Sequence, residues 1–349
     1  MTIIKELVSK LEQKGILSPG EFETLINESS TDDREFLYER AREKAKVYYG
    51  NSIYIRGLIE LTNYCKNNCY YCGIRRDNKN LSRYRLEKED ILNCCHSGYE
   101  LGFRTFVLQG GEDAYYTKQL LVDIISEIRN VYPQCAVTLS LGERTCEDYK
   151  AFFQAGASRY LLRHETANEE HYRKLHPNSM SLEHRKECLW NLKSIGYQVG
   201  TGFMVGSPYQ NVHHIISDLE FLYQLKPEMV GIGPFIPHHE TPFSDFKAGT
   251  MEQTTVLIAI IRLMFPNALI PSTTSLATVS PQGRLKGILA GANVVMPNLS
   301  PWQVRKKYML YDNKKCTEEE GAEGYKDLAE AIKSIGYKIV VHRGDYKPI

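Results

Sequence analysis

The 349-residue chain has no charge imbalance, no membrane-length apolar run, no internal repeat and no low-complexity tract. Lys plus Arg number 43 against 42 Asp plus Glu, so charge gives no pointer toward nucleic acid, an anionic membrane or a polyanionic substrate. No apolar stretch approaches the roughly 20 residues that span a bilayer. Met1-Thr2-Ile3-Ile4-Lys5-Glu6 runs straight into a charged helical pattern, without the apolar core and small-residue cleavage site of a secretion signal. The expected location is therefore the cytoplasm. Full disulfide pairing is excluded as well, because the nine cysteines are an odd number. In a reducing compartment they read better as ligands or core fillers than as bridges.

What the chain does have is enough apolar material, 42% of its residues, to bury one large core or two medium ones. From Ile3 to about Tyr48 apolar residues recur at helical spacing, interrupted at Ser18-Pro19-Gly20-Glu21 and Ser30-Thr31-Asp32-Asp33, which also cap the next helix. Eight β-type runs follow: Ile53–Leu61, Thr105–Leu108, Ala136–Leu139, Tyr160–Leu162, Gln198–Met204, Met229–Ile232, Ala268–Ile270 and Asn293–Met296. Amphipathic stretches alternate with them, as at Lys88–Leu101, Leu182–Ile195 and Val212–Leu225. Strict β-then-α alternation implies a parallel sheet, and eight units favour a closed (β/α)8 barrel of the TIM type over an open sheet. The expected organisation is a helical extension over 1–50, the barrel over 51–312, and an αβ tail over 313–349 packing on it.

In such a barrel chemistry belongs at the C-terminal ends of the strands. The first loop there carries Cys65-Lys66-Asn67-Asn68-Cys69-Tyr70-Tyr71-Cys72. Cysteines separated by three and then two residues can wrap three corners of one 4Fe-4S cubane, leaving the fourth iron without a thiolate. Such an iron can chelate an amino group and a carboxylate together, which suits the methionine end of S-adenosylmethionine (SAM). Structural zinc would want a fourth Cys or His; none stands at finger-like spacing nearby, although a distant one could complete the set. Cys94, Cys95, Cys135, Cys146, Cys188 and Cys316 form no comparable motif and read as core packing.

The C-x-x-x-C-x-x-C spacing, with aromatic Tyr71 before the last cysteine, resembles the radical SAM superfamily from about Ile53 onward. Further blocks narrow the likeness: 73–80 (GIRRDNKN), 108–113 (LQGGED), 163–166 (RHET), 230–238 (VGIGPFIPH) and 291–298 (GANVVMPN). In this order they are similar to the HydE family, radical SAM maturases of FeFe hydrogenase. The resemblance implies reductive cleavage of SAM to a 5′-deoxyadenosyl radical. It also implies action on a cysteine-bound iron precursor carrying carbonyl and cyanide, in building the two-iron subcluster. The implied partners are tyrosine-lyase and GTPase hydrogenase maturases and an electron donor such as ferredoxin or flavodoxin. Some members hold a second cluster on three C-terminal cysteines; here only Cys316 lies in that region, so a single cluster is expected.

Other residues after the apolar runs are weighed against plainer roles. Gly110-Gly111-Glu112, after the second run, lets backbone approach a ligand and offers a carboxylate, or is a simple tight turn. Thr138 and Ser140 share one strand face and could bond SAM or substrate, or be satisfied hydroxyls in a packed interior. Arg163 and Glu165 share a face after the fourth run, with Arg185 in the next helix able to fork onto a carboxylate; an internal ion pair is the alternative. The resemblance gives Glu165 and Arg185 to SAM, together with Tyr71, Gln109, Gly111, Glu112, Thr138 and Ser140. It gives Arg163, Thr273, Thr274, Tyr308 and Tyr311 to the substrate. Thr273 and Thr274 also suit a helix cap, and Tyr308 and Tyr311 one face of a surface helix. His238 and His239 are expected to point apart and are left out of the ligand set. The rival readings are a methylornithine-synthase-like enzyme, which would bind lysine, a biotin-synthase-like sulfur inserter, and a non-catalytic zinc scaffold.

Overall fold

The structure, a computed structural model, describes residues 2–314 and 324–348; Cys316 lies outside them. Three helices come first, α1 (Ile3–Lys14), α2 (Pro19–Asn27) and α3 (Thr31–Tyr49). Thr2 caps α1 by accepting from the Lys5 N–H, and Ser30 and Asp33 form a reciprocal capping box on α3. Then follow β1 (Ser52–Ile55), β2 (Gly57–Thr62), α4 (Lys88–Glu100), β3 (Thr105–Gly110), α5 (Lys118–Val131), β4 (Ala136–Ser140), α6 (Cys146–Gln154) and β5 (Ala157–Leu161). The next stretch holds α7 (Glu169–Leu175), α8 (Leu182–Ile195), β6 (Gln198–Thr201), β7 (Met204–Val205), α9 (Val212–Leu225), β8 (Met229–Val230) and β9 (Gly233–Pro234). After them come α10 (Met251–Met264), α11 (Thr274–Val279), α12 (Gly283–Leu289), β10 (Val294–Val295), α13 (Trp302–Arg305), α14 (Tyr325–Ser334) and β11 (Lys338–Val340).

Strands β2, β3, β4, β5, β6 and β8 pair in that order, all parallel. Parallel bridges Met229 to Leu269 and Pro271 to Val294 carry the ring onward, and β10 pairs with β1, which continues into β2 through Arg56. The result is a closed (β/α)8 barrel. Phe106, Leu108, Val137 and Leu139 face outward into the helix layer, which leaves Glu60, Gln109, Thr138, Ser140 and Arg159 on the inner face of their strands. Polar residues inside a barrel mark a lumen that does more than fill space. The helices α1 to α3 close one side, with Val8, Leu11, Phe22 and Leu37 packed into the cluster that holds Ile258 and Ile261 of α10.

Several expected elements differ. The seventh strand, Ala268–Ile270, is reduced to single bridges because Asn293 Oδ1 accepts the Ile270 N–H from the side. The fifth run splits at Gly202, where a Cβ would lie 2.0 Å from the Gly231 carbonyl oxygen, so β6 and β7 separate. The fourth strand begins earlier, at Ala157, and α7 was not foreseen. β11 adds a parallel strand beside β1. Cys94, Cys95, Cys135 and Cys188 are buried, whereas Cys146, at the start of α6, is partly exposed rather than core. Among the described residues no helix is long and apolar enough to cross a membrane.

Candidate active site

The loop after β2 folds back over the strand ends because its backbone groups are met one by one. Arg83 organises it: its guanidinium donates to the carbonyls of Ile74 (2.9 Å), Arg75 (2.7 Å) and Asn78 (3.0 Å), and also to that of Asn63. The Gly73 N–H donates to the Leu310 carbonyl at 2.8 Å, tying the loop to the segment that carries Tyr308 and Tyr311. Gly111 is needed where it stands, since a Cβ there would lie 2.1 Å from the Tyr64 carbonyl oxygen and 2.8 Å from Cys65 Cβ. Lys66 closes the same junction, its N–H on the Glu112 carbonyl (2.9 Å) and its Nζ 3.1 Å from the Glu112 carboxylate.

One pocket at this mouth is lined by Cys65, Cys69 and Cys72 together with Tyr71, Gly111, Glu112, Arg163, Glu165, Arg185, Tyr308 and Tyr311. Burial pushes the Cys72 thiol up to about 12 and raises Cys69 and Cys65 too; neighbouring thiols raise Cys69 and Cys72 further, and Glu112 raises Cys65. Three such groups stay ionised only around a positively charged centre. The Tyr71 ring packs edge-on to His176 at 5.3 Å, and its hydroxyl lies 3.1 Å from His176 Nε2. His176 Nδ1–H donates to the Tyr172 carbonyl at 3.0 Å, so Nε2 accepts from Tyr71.

Charged groups line the pocket wall facing the cysteines. Arg163 Nη2 lies 3.2 Å from Glu165 Oε2, so the ion pair weighed from sequence forms, and it forms at the pocket surface. Arg185 Nε is 2.6 Å from Glu143 Oε1 and its Nη1 donates to the Arg163 carbonyl at 3.3 Å. Burial alone would lower this arginine, yet the Glu143 carboxylate leaves it raised. The Glu143 N–H in turn donates to Glu112 Oε1 at 2.9 Å, made possible by Gly142, whose left-handed backbone (φ 71°) lies against Glu112.

The remaining expected residues fall elsewhere. Gln109, Thr138 and Ser140 are not in the pocket wall; they line the barrel interior, where Gln109 Nε2 reaches the Tyr308 hydroxyl at 3.5 Å and the Thr138 hydroxyl is buried without a partner. Thr273 is the N-cap of α11, accepting from the Leu276 N–H, and Thr274 is its first residue, so the hydroxyl that reaches the pocket is that of Ser275. The plainer role thus holds for Thr273. Tyr308 and Tyr311 follow α13 instead of riding a helix face. His238 and His239 do not point apart: their rings stack at 4.6 Å, and His239 Nδ1 lies 2.7 Å from Asp312. His238 Nδ1 accepts the Glu240 N–H, which puts its proton on Nε2, 3.9 Å from Asp312, so the trio is a clasp fastened by the hydrogen bonds from His239 to Asp312.

Sequence reasoning missed Arg83, Gly142, Glu143, His176 and Ser275. It also missed Glu60, inside the barrel, whose carboxylate meets Lys314 at 2.5 Å and Asn298 at 2.9 Å beside Tyr308. An acid at an inward-facing position of the first strand was the available signal.

A three-cysteine loop at the mouth of a polar-lined (β/α)8 barrel, faced by paired carboxylates and arginines, defines a radical SAM enzyme. The chain belongs to the radical SAM superfamily, whose model matches residues 59–222, and within it to the HydE family. It is 42% identical, over 96% of its length and 95% of the relative's, to the [FeFe] hydrogenase maturase subunit HydE of Thermotoga maritima. It is 30% identical to 3-methylornithine synthase of Methanosarcina acetivorans, covering 80% of this chain and 79% of that one. Among solved structures, methylornithine synthase (PylB) matches with a TM-score of 0.84 at 27% identity, over 96% of this chain and 97% of that chain. The maturase HydG matches with a TM-score of 0.82 at 21% identity, over 97% and 76%, which speaks for the fold alone. The protein is thus an enzyme that uses a 4Fe-4S cluster and SAM, and the zinc-scaffold reading is overturned.

Proposed function

We propose that this enzyme serves FeFe-hydrogenase maturation, acting on a cysteine-bound iron precursor with carbonyl and cyanide ligands. The observation that carries this is the 42% identity to HydE spread over 96% of the chain. Cys65, Cys69 and Cys72 are the residues that would hold the cluster. When bound and reduced, the cluster supplies the electron that splits the SAM sulfonium into methionine and a 5′-deoxyadenosyl radical. Tyr71, within the cysteine loop, is fixed by His176 and lines the pocket. Arg185, aimed by Glu143, would receive the SAM carboxylate, and Glu112 and Glu165 its ammonium or ribose hydroxyls. Arg163, Ser275, Tyr308 and Tyr311 line the rest of the pocket, and with Gln109, Thr138, Ser140 and Glu60 they lead into the lumen, where a radical is kept from water. The proposed partners are the tyrosine-lyase and GTPase maturases and a low-potential electron donor.

The test is anaerobic. Reconstituted protein is reduced with dithionite, supplied with SAM and assayed for 5′-deoxyadenosine, beside a C65A/C69A/C72A variant, and then assayed for hydrogenase activation in a defined maturation mixture. Deoxyadenosine from wild type alone, with hydrogenase activation, is the expected result. A second reading, lysine rearrangement, follows from the likeness to PylB; deoxyadenosine formation stimulated by lysine, without hydrogenase activation, would replace the first.

A further inference from the structure

Behind the pocket wall, where β5 ends, the backbone is strained. Glu165 has φ 65°, a left-handed conformation that a non-glycine residue occupies only when its surroundings enforce it. The enforcing contacts are visible on both sides. Toward β6, the Glu165 N–H donates to the Gly202 carbonyl (3.1 Å) and the Glu165 carbonyl accepts from the Met204 N–H (3.3 Å). Away from the pocket, the His164 side chain is fully buried against Phe203 and Phe221, hydrogen-bonded at Nδ1 and in close contact, without hydrogen-bond geometry, at Nε2. Its Nδ1 lies 2.9 Å from Thr201 Oγ1 and its Nε2 3.3 Å from Asp218 Oδ1. Asp218, from α9 and also fully buried, accepts the Ala167 N–H, while Lys186 Nζ donates to the Ala167 carbonyl at 3.0 Å.

A buried His–Asp pair is a poor source of stability, since two phenylalanine neighbours would accept an apolar side chain with no desolvation cost. What the pair supplies is direction. It fixes His164 outward from one strand and Ala167 against one helix, and the residues between and beside them, Arg163 and Glu165, must then face the pocket. We propose that His164 and Asp218 are positioning residues for SAM binding, holding the strained turn that presents Arg163 and Glu165 through the His164–Thr201 and Ala167–Asp218 hydrogen bonds and the 3.3 Å contact between the two side chains. This rests on the reading of Glu165 as a SAM contact.

The experiment measures SAM affinity, KM and kcat for deoxyadenosine formation in cluster-loaded wild type, Asp218→Asn, His164→Ala, His164→Gln and Glu165→Gln, with thermal midpoints beside them. Asp218→Asn keeps the shape of the side chain, so it reports even where His164→Ala folds poorly. The expected result is that Asp218→Asn and His164→Ala raise KM for SAM about tenfold with kcat at saturation within about twofold, as displaced contacts do. His164→Gln, which keeps a polar group for Thr201 in the same buried place, should recover most of the affinity. Midpoints that fall while KM stays at the wild-type value, with Glu165→Gln weakening SAM binding, would overturn the positioning role. Glu165→Gln binding SAM as well as wild type would instead remove the assignment of Glu165, and the proposal with it.

Discussion

The two ends of the barrel both bury arginines, and they treat them differently. At the N-terminal end Arg262 meets only neutral acceptors: the carbonyls of Gly291 (2.9 Å), Pro266 (2.9 Å) and Ala268 (2.7 Å) and Asn293 Oδ1 (3.1 Å). Burial lowers it to about 10. Arg159 joins Thr105, the Arg343 carbonyl and Asp345 there, so it ties the C-terminal segment across the barrel floor. At the mouth, Arg185 and Arg163 pair with carboxylates, Glu143 and Glu165, on the surface of a pocket. Arg262 is locked by geometry on its carbonyls, and Asp345, the carboxylate that Arg159 meets, is not among the residues that line the mouth pocket, so neither floor arginine is placed to exchange its partner there. Carboxylate-paired arginines beside a pocket keep full charge and can share it with an arriving anion. The floor is built to stay shut and the mouth to bind.

The largest expected effect breaks the mouth. Arg185→Met leaves the Glu143 carboxylate without its guanidinium and removes the group proposed to receive the SAM carboxylate. Losing one partner of a buried charge pair between protein and ligand costs about 2–5 kcal/mol, so SAM affinity should fall at least about thirtyfold in an anaerobic titration, with cluster content retained. An affinity within threefold of wild type would make Arg185 a structural arginine like those on the floor.

The matching floor substitution, Arg262→Met, should do the reverse. It removes a donor from three backbone carbonyls and leaves the Asn293 amide oxygen with the Ile270 N–H alone, at an expected cost of about 2–3 kcal/mol in stability. Denaturant unfolding should register that loss while SAM affinity in the folded fraction stays at the wild-type value. Weakened SAM binding would show that the two ends are coupled through the strands.

What could be read from sequence follows the same division. The cysteine loop was legible because its three cysteines lie within eight residues, so chain spacing alone brings them to one pocket. Barrel topology was legible because each β and α run carries its own periodicity. Glu143 and Arg185 stand 42 positions apart, Glu60 and Lys314 254, and His164 and Asp218 54; such pairs exist only once the barrel closes. The seventh strand failed for a related reason, since an apolar run signals burial but not which group meets its N–H. The histidine pair failed because the alternation that points neighbours apart applies to strands, and His238 and His239 stand in a loop whose direction Asp312 decides.

That clasp gives the smallest effect, and it sharpens the picture of the mouth. Asp312 accepts both the His239 backbone N–H (2.8 Å) and its ring Nδ1–H (2.7 Å), joining the loop after β9 to the segment that carries Tyr308 and Tyr311. The hydrogen bond to Asp312 raises His239 above the usual 6.5, whereas burial lowers His238. A raised histidine stabilises the fold fully below its unfolded value, near pH 6.5, and the contribution is lost as pH rises through the folded value above it. His238 works in the opposite sense, costing stability as pH falls below 6.5. Comparing His239→Ala with wild type cancels most of the His238 contribution. Since His239 is largely exposed, solvent screening holds its effect below about 1 kcal/mol. The thermal midpoint of wild type should therefore exceed that of His239→Ala by a small margin at pH 6, and the margin should shrink by pH 8. A margin constant across that range would mean that Asp312 is held by the His239 backbone N–H alone, and that the mouth carries no charge-dependent fastening.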